Sequence, residues 1–216
     1  MPKRHYIRLY KVLQHSKLLK LQIQVLFVST FVDWVLMPYI AKLEGTYLPV
    51  MMISLFMLIG ASDGFVQPLF KKVKIYNIYL FVVLLDMVQI MSYSVSSLNI
   101  IYFTYLILFI FTLQSITFEI SRVHTIDFMK EEIDLKEYMM LRSLIVSSAI
   151  IGGAGCAMLL DYFDIALQTT LIGLALLGAY SIILEIRLYF AFKNVIQEGE
   201  TVIEREHARM EQKIHL

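Results

Sequence analysis

Two acidic residues lie deep inside long apolar stretches of the sequence. Asp33 stands within the stretch 21–41, and Asp86 stands within the stretch 75–95. A carboxylate in hydrocarbon costs roughly 2.5–3.5 kcal/mol on insertion scales, so each residue needs a reason to be there. Because burial favours the neutral form of a carboxyl group, each could take up a proton near neutral pH or hold a cationic group. We predict that both side chains face the protein interior or a wet cavity.

A second interpretation of Asp33 and Asp86 requires no chemistry. Hydrogen bonds from neighbouring helices could satisfy both carboxyl groups in a purely structural role. The polar side chains available for this role are Ser29, Thr30, Gln89 and Tyr93. The sequence leaves both interpretations open.

The elements that carry these residues are long and apolar. Apolar residues make up 58% of the 216 residues and charged residues 17%, whereas soluble domains have about 45–50% and 25%. A helix needs roughly 20 apolar residues to cross the hydrocarbon core, and the alternation of barrel strands is absent. We therefore predict an all-α membrane protein with six transmembrane helices. The predicted spans are residues 21–41, 47–70, 75–95, 98–118, 144–160 and 165–186.

The positions of the basic residues predict the orientation of these spans. All but one of the 19 lysines and arginines lie in the N-terminal flank, two connections and the C-terminal flank, which share one side of an even-numbered bundle. Positive flanks stay in the cytoplasm, so both termini are predicted to be cytoplasmic in a multi-pass protein of the cell membrane. This fixed orientation means that any homodimer is parallel.

The chain is predicted to have three parts. Residues 1–20 form a basic segment that either lies in the membrane interface or serves only as an orientation signal. Residues 21–190 form the transmembrane domain, and residues 191–216 form a polar cytoplasmic helix or tail. Charges near the cytoplasmic ends of the spans are interpreted as solvated or paired end charges. These residues are Asp63, Glu119, Arg122, Glu185 and Arg187.

Small residues are concentrated in the fifth predicted span. Gly152, Gly153 and Gly155 belong to a segment with two rows of small residues at a spacing of four, one through residues 149, 153 and 157 and the other through residues 148, 152 and 156. Such rows allow two helix backbones to approach closely. We predict close helix packing here, and a hinge in a moving helix is the alternative.

The sequence argues against an enzyme, a metal site and a cofactor. No predicted span contains a histidine, and the single cysteine, Cys156, excludes both an internal disulfide and a multi-cysteine metal site. Glu131 and Glu132 are similar to the paired glutamates of metal-dependent membrane proteases, but they lie in a polar loop. A phosphate-binding Gly-Lys-Ser/Thr motif is also absent. The composition likewise excludes a nucleic-acid binder with a basic face.

Four segments of the sequence form one ordered pattern. They are STFVDW at 29–34, GFVQPLFKK at 64–72, the acidic and basic stretch 125–143, and IIGGAG at 150–155. Together they resemble the N-terminal six-helix half of a major facilitator superfamily transporter, in the branch of macrolide-efflux-like drug exporters. Val32 stands where that branch has glycine in its first helix, Pro68 stands where the family has aspartate in a basic turn, and Gly153 stands where proline is frequent.

This resemblance implies a transporter built from two six-helix halves, with the substrate between them. Since the chain has only six predicted spans, it would act as a parallel homodimer or with a second half. The expected cargo is an amphiphilic, drug-like or peptide-like molecule, exported with proton coupling. The predicted pocket residues are Asp33, Asp86, Trp34, Gln24, Gln89 and Gln114. The predicted gating residues at the cytoplasmic loops are Asp63, Gly64, Lys71, Lys72, Glu119 and Arg122.

A different function remains compatible with the same residues. The chain could be a non-transporting accessory, immunity or sensor protein that keeps the half-transporter scaffold and binds another membrane protein. The altered motifs and the missing second half favour this alternative. In either case the lipid bilayer is a partner and nucleic acid is not.

Overall fold

A computed structural model describes residues 16–44, 73–97, 100–129 and 134–214, and the regular structure in these residues is entirely helical. The predicted second span, 47–70, lies outside the described residues. A 3₁₀ turn, Tyr93–Ser97, follows the second described helix. The helices are α1 (Lys17–Glu44), α2 (Ile75–Ser92), α3 (Ile100–Met129), α4 (Leu135–Tyr162) and α5 (Leu167–Ile214).

Four of the described helices are long and apolar enough to cross a membrane. The apolar stretch of α3, Tyr102–Phe118, is shorter. Large apolar side chains are exposed on α2, α3, α4 and α5, which is the pattern of helices that face lipid rather than water. The prediction of an all-α protein with membrane-spanning helices is confirmed for this part of the chain. The four candidate spans are Lys17–Pro38, Ile75–Ser92, Lys136–Tyr162 and Leu167–Ile196.

Helix α1 is the centre of the bundle. It packs along α4 on one side and along α5 on the other, and α2 packs against both α5 and α3. By contrast, α3 meets α1 at only a few points. This uneven packing leaves space between α1, α3 and α4.

The side-chain contacts define the directions of the helices. Leu19 at the start of α1 packs with Tyr138 at the start of α4, whereas Phe31 and Trp34 lie against Gly153 further along α4. Helices α1 and α4 therefore run in the same direction. Helix α5 runs opposite to α1, because Val25 packs with Leu188 whereas the later Val32 packs with the earlier Leu174. Helix α5 also runs opposite to α2, as the stacked rings of Tyr79 and Phe192 and the proximity of Ile90 to Gly178 show. It follows that α1 and α2 run in the same direction.

Gly153 is the point of closest approach between α1 and α4. A Cβ atom on this residue would lie 2.8 Å from the backbone oxygen of Phe31 and 2.9 Å from Trp34 Cβ. The buried row of small residues is therefore Ala149, Gly153 and Ala157. Within the described ranges, a Cβ atom on Gly152 would lie 3.5 Å from the ring of Phe31, and one on Gly155 would have no neighbour within 4 Å outside its own helix.

A tight turn joins α4 to α5. Asp164 has a φ of 51°, a left-handed conformation that aspartate and asparagine tolerate better than most residues. The backbone N–H of Ile165 donates to the Leu160 carbonyl at 2.9 Å, which closes the end of α4. Helix α5 then continues without a break past residues 186 and 190 to Ile214.

Candidate functional site

A polar cluster lies in the interior of the bundle, where four helices meet. Helix α1 contributes Asp33, α2 contributes Asp86 and Gln89, α3 contributes Gln114, and α5 contributes Glu185. The last four side chains are almost completely buried, with exposed fractions between 0% and 6%. Because polar groups are costly to bury without partners, their hydrogen bonds decide what this cluster can do.

Gln114 connects the residues of the cluster. Its Nε2 donates to Asp86 Oδ1 at 2.5 Å and to Gln89 Oε1 at 2.7 Å. Gln89 in turn donates from Nε2 to Tyr93 Oη at 3.2 Å, and its side chain also hydrogen-bonds the Asp33 carboxyl group. The chain of hydrogen bonds therefore runs from α1 through α2 to α3.

Asp86 and Glu185 form a pair of carboxyl groups. Their side chains hydrogen-bond each other across the contact between α2 and α5. Ser181 donates from Oγ to Glu185 Oε1 at 3.1 Å, while Glu185 Oε2 has no N–H or O–H donor within the described residues. Two carboxyl groups in contact can share one proton, which makes this pair a candidate site for proton binding.

The interpretation of Glu185 as a solvated or paired charge at a membrane boundary is wrong. Its side chain has an exposed fraction of 0% and touches the cluster. The reason is the length of α5: its apolar part extends to Ile196, so Glu185 lies well inside the span rather than at its end. The apolar residues beyond Arg187 carried the signal that could have located it.

Two cavities border Asp33. The smaller one measures about 10 Å³, close to the size of a single water molecule. It is lined by Ser29, Asp33, Asp86, Gln89 and Ser181, among others, and joins Asp33 to the carboxyl group of Asp86. Asp33 and the Asp86 carboxyl group of the pair therefore face the same small cavity.

The larger cavity is a cleft of about 250 Å³ in the space between α1, α3 and α4. Asp33 and Trp34 line it from α1, Phe111 and Phe118 from α3, and Arg142 from α4. Asp33 lines both cavities, whereas Asp86 and Glu185 do not reach the cleft. Asp33 is thus the carboxyl group that connects the cleft with the buried pair.

Gln24 lies apart from the other predicted pocket residues. It is half-buried and lines neither cavity. Gln24 lies nine residues before Asp33, and at about 100° per residue this spacing places the two side chains on opposite sides of α1. Gln22, which the sequence reading did not single out, is buried instead. Its Nε2 donates to Tyr79 Oη at 3.4 Å and to Tyr138 Oη at 3.2 Å, which ties α1 to α2 and α4.

None of the predicted gating residues has a described side chain. Asp63, Gly64, Lys71 and Lys72 lie outside the described residues. Glu119 and Arg122 lie on α3, but their side chains are not among those described. No group of three or more histidine, cysteine, aspartate or glutamate side chains in the described ranges is arranged to hold a metal ion.

The role of Gln114 in the cluster leads to a stability prediction. Gln114→Leu would remove two buried hydrogen bonds and strand the acceptor atoms of Asp86 and Gln89, so we expect a loss of about 2–4 kcal/mol in the free energy of unfolding. Gln24→Leu is the matched control and should change stability by much less. The measurement is thermal unfolding of both variants in lipid nanodiscs. Equal midpoints for the two variants would contradict the hydrogen-bond network described above.

Comparison of the chain with protein-family models, with curated proteins and with solved structures found no match in any of the three.

Proposed function

We propose that the protein is a half-size, major-facilitator-like transporter of the cell membrane that exports an amphiphilic molecule in exchange for protons. The observation that carries this proposal is the position of Asp33. It stands between a cleft large enough for a small ligand and a buried pair of carboxyl groups. A carboxyl group in that position can exchange a proton for a cationic group of the cargo.

The composition of the cluster supports proton coupling over a purely structural role. The cluster gathers three carboxyl groups, from α1, α2 and α5, in the interior of the bundle. Neighbouring buried carboxylates repel each other, so bound protons or a cationic ligand would stabilise this arrangement. Intramembrane carboxyl groups of this kind are typical of proton relays.

The directions of the helices support the proposal of six spans with both termini in the cytoplasm. Helices α1 and α2 run in the same direction, which is the arrangement expected if the apolar stretch 47–70 is a further span between them. The distribution of lysine and arginine then places both ends of the chain on the cytoplasmic side. A second copy in the same orientation would complete the pathway, as a parallel twofold dimer.

Transport by proteoliposomes tests the proposal. We expect liposomes with an acidic interior to accumulate radiolabelled benzyltrimethylammonium, an aromatic cation that cannot cross as a neutral base. Uptake should stop when a protonophore collapses the pH gradient. The protein should also be a dimer by native mass spectrometry in nanodiscs.

Two results would contradict this function. Uptake equal to that of protein-free liposomes, with no proton movement across the membrane, would argue against transport. A monomer bound to an unrelated membrane protein would favour the accessory or sensor alternative.

A further inference from the structure

The cleft beside Asp33 contains one acidic and one basic side chain. Asp33 contributes a carboxyl group from α1, and Arg142 contributes a guanidinium group from α4. Most of the remaining lining is apolar or aromatic, including Trp34, Phe111 and Phe118. We propose that the cleft binds a small zwitterion of dipeptide size, with its amine at Asp33 and its carboxylate at Arg142. This inference rests on the proposed transport function only in taking the cleft as the substrate site.

The spacing of the two charges selects an elongated ligand. Gly153 lies against Phe31 and Trp34, so it marks the level of Asp33 on α4. Arg142 lies eleven residues before Gly153, which is about 16 Å along the helix at a rise of about 1.5 Å per residue. The long arginine side chain spans part of this distance. Each further residue of a peptide adds up to about 3.5 Å, so a dipeptide covers the remaining distance with less movement of the Arg142 side chain than a free amino acid requires.

The volume of the cleft indicates the size of the ligand. At about 250 Å³ it exceeds the roughly 150 Å³ cavity that accommodates benzene. It is below the roughly 300–1,000 Å³ that is usual for drug-sized ligands. A dipeptide with small apolar side chains therefore matches this volume better than a large macrocycle does.

The chemistry of the two charged groups matches the two ends of a peptide. Arginine has five N–H donors in a planar fork, so Arg142 can bind a carboxylate while keeping its other partners. The Asp33 carboxylate pairs with a protonated amine, and the neighbouring Trp34 ring adds a favourable surface for a cation. Binding of the amine at Asp33 also competes with binding of a proton there, as exchange requires.

Trp34 provides a direct readout, since it is the only tryptophan of the chain and lines the cleft. The experiment titrates the full-length protein in nanodiscs and follows Trp34 fluorescence. The probes are alanyl-leucine, its C-terminal amide and its N-acetyl derivative. We expect alanyl-leucine to bind at least about tenfold more tightly than either derivative, because each derivative lacks one charge-assisted contact.

Substitutions at Arg142 and Asp33 test which end of the ligand each residue binds. Arg142→Gln should weaken alanyl-leucine binding about tenfold and leave the affinity for the amide unchanged. Asp33→Asn should weaken alanyl-leucine binding while leaving the affinity for the N-acetyl derivative unchanged. Arg142→Lys keeps the charge and should retain most of the preference for the free carboxylate, which separates recognition from a folding defect.

Three results would overturn the inference. They are equal affinity of the wild-type protein for all three probes, no Trp34 response to any of them, and an equal loss for all three in Arg142→Gln. Proton-driven uptake of benzyltrimethylammonium distinguishes this failure from failure of the transport function. If uptake persists without peptide discrimination, only the zwitterion site is wrong; if discrimination persists without uptake, only the transport function is wrong.

Discussion

Replacing Asp33 with asparagine is expected to reduce proton-driven uptake of benzyltrimethylammonium to the level of protein-free liposomes. The asparagine side chain would keep the size of the original one and could still hydrogen-bond Gln89, so the fold should persist. It cannot, however, bind and release a proton. Because Asp33 is the carboxyl group of the cluster that lines the cleft, Asp86 and Glu185 cannot replace it there.

The matched control for this variant is Asp164→Asn. Asp164 is exposed in the turn between α4 and α5, and asparagine tolerates its left-handed conformation equally well. This variant should transport like the wild-type protein. Unchanged transport by Asp33→Asn, in protein with a normal unfolding midpoint, would refute the role of Asp33 in proton coupling.

Gly153→Ala is expected to destabilise the bundle more than its size suggests. The added methyl group would lie 2.8 Å from the Phe31 backbone oxygen, and backbone can yield only if α1 and α4 move apart. Overpacking of this kind costs about 1–3 kcal/mol, and the shift would also widen the cleft beside Trp34. We therefore expect a lower midpoint of thermal unfolding together with a changed Trp34 fluorescence spectrum.

Gly155→Ala is the control for this substitution on the same helix. In the part of the chain that the structure describes, no atom outside the helix itself lies within 4 Å of a Cβ added to Gly155. Alanine is also a better helix former than glycine. Its midpoint should equal or exceed that of the wild-type protein. If the two alanine variants unfold at the same midpoint temperature, the close approach of α1 and α4 at Gly153 does not limit the stability of the bundle.

Positions of helices follow from the sequence because hydropathy is a local property that adds up along a segment. The predicted spans 21–41, 75–95, 144–160 and 165–186 each overlap a described helix long enough to cross a membrane. The cost of placing a carboxylate in lipid is equally local, so the interior position of Asp86 could be anticipated without a structure.

The ends of the helices were less predictable. The charged pair at residues 185 and 187 interrupts the hydropathy of the last span and therefore predicts that the span ends there. In the structure α5 continues, because Leu188 and Phe192 pack into the core with residues of α1 and α2. These contacts between helices keep Glu185 inside the bundle, and they depend on residues far away in the sequence.

Which polar residues share a site was decided by the tertiary structure alone. Gln22 and Gln24 are equivalent by composition and depth, yet rotation of α1 buries the first between Tyr79 and Tyr138 and leaves the second half-buried outside both cavities. The carboxyl pair and the cleft likewise exist only because α5 meets α2 and because α3 packs against α2 rather than along α1. Helix rotation and neighbour choice are set by the packing of the whole bundle, which no single segment encodes.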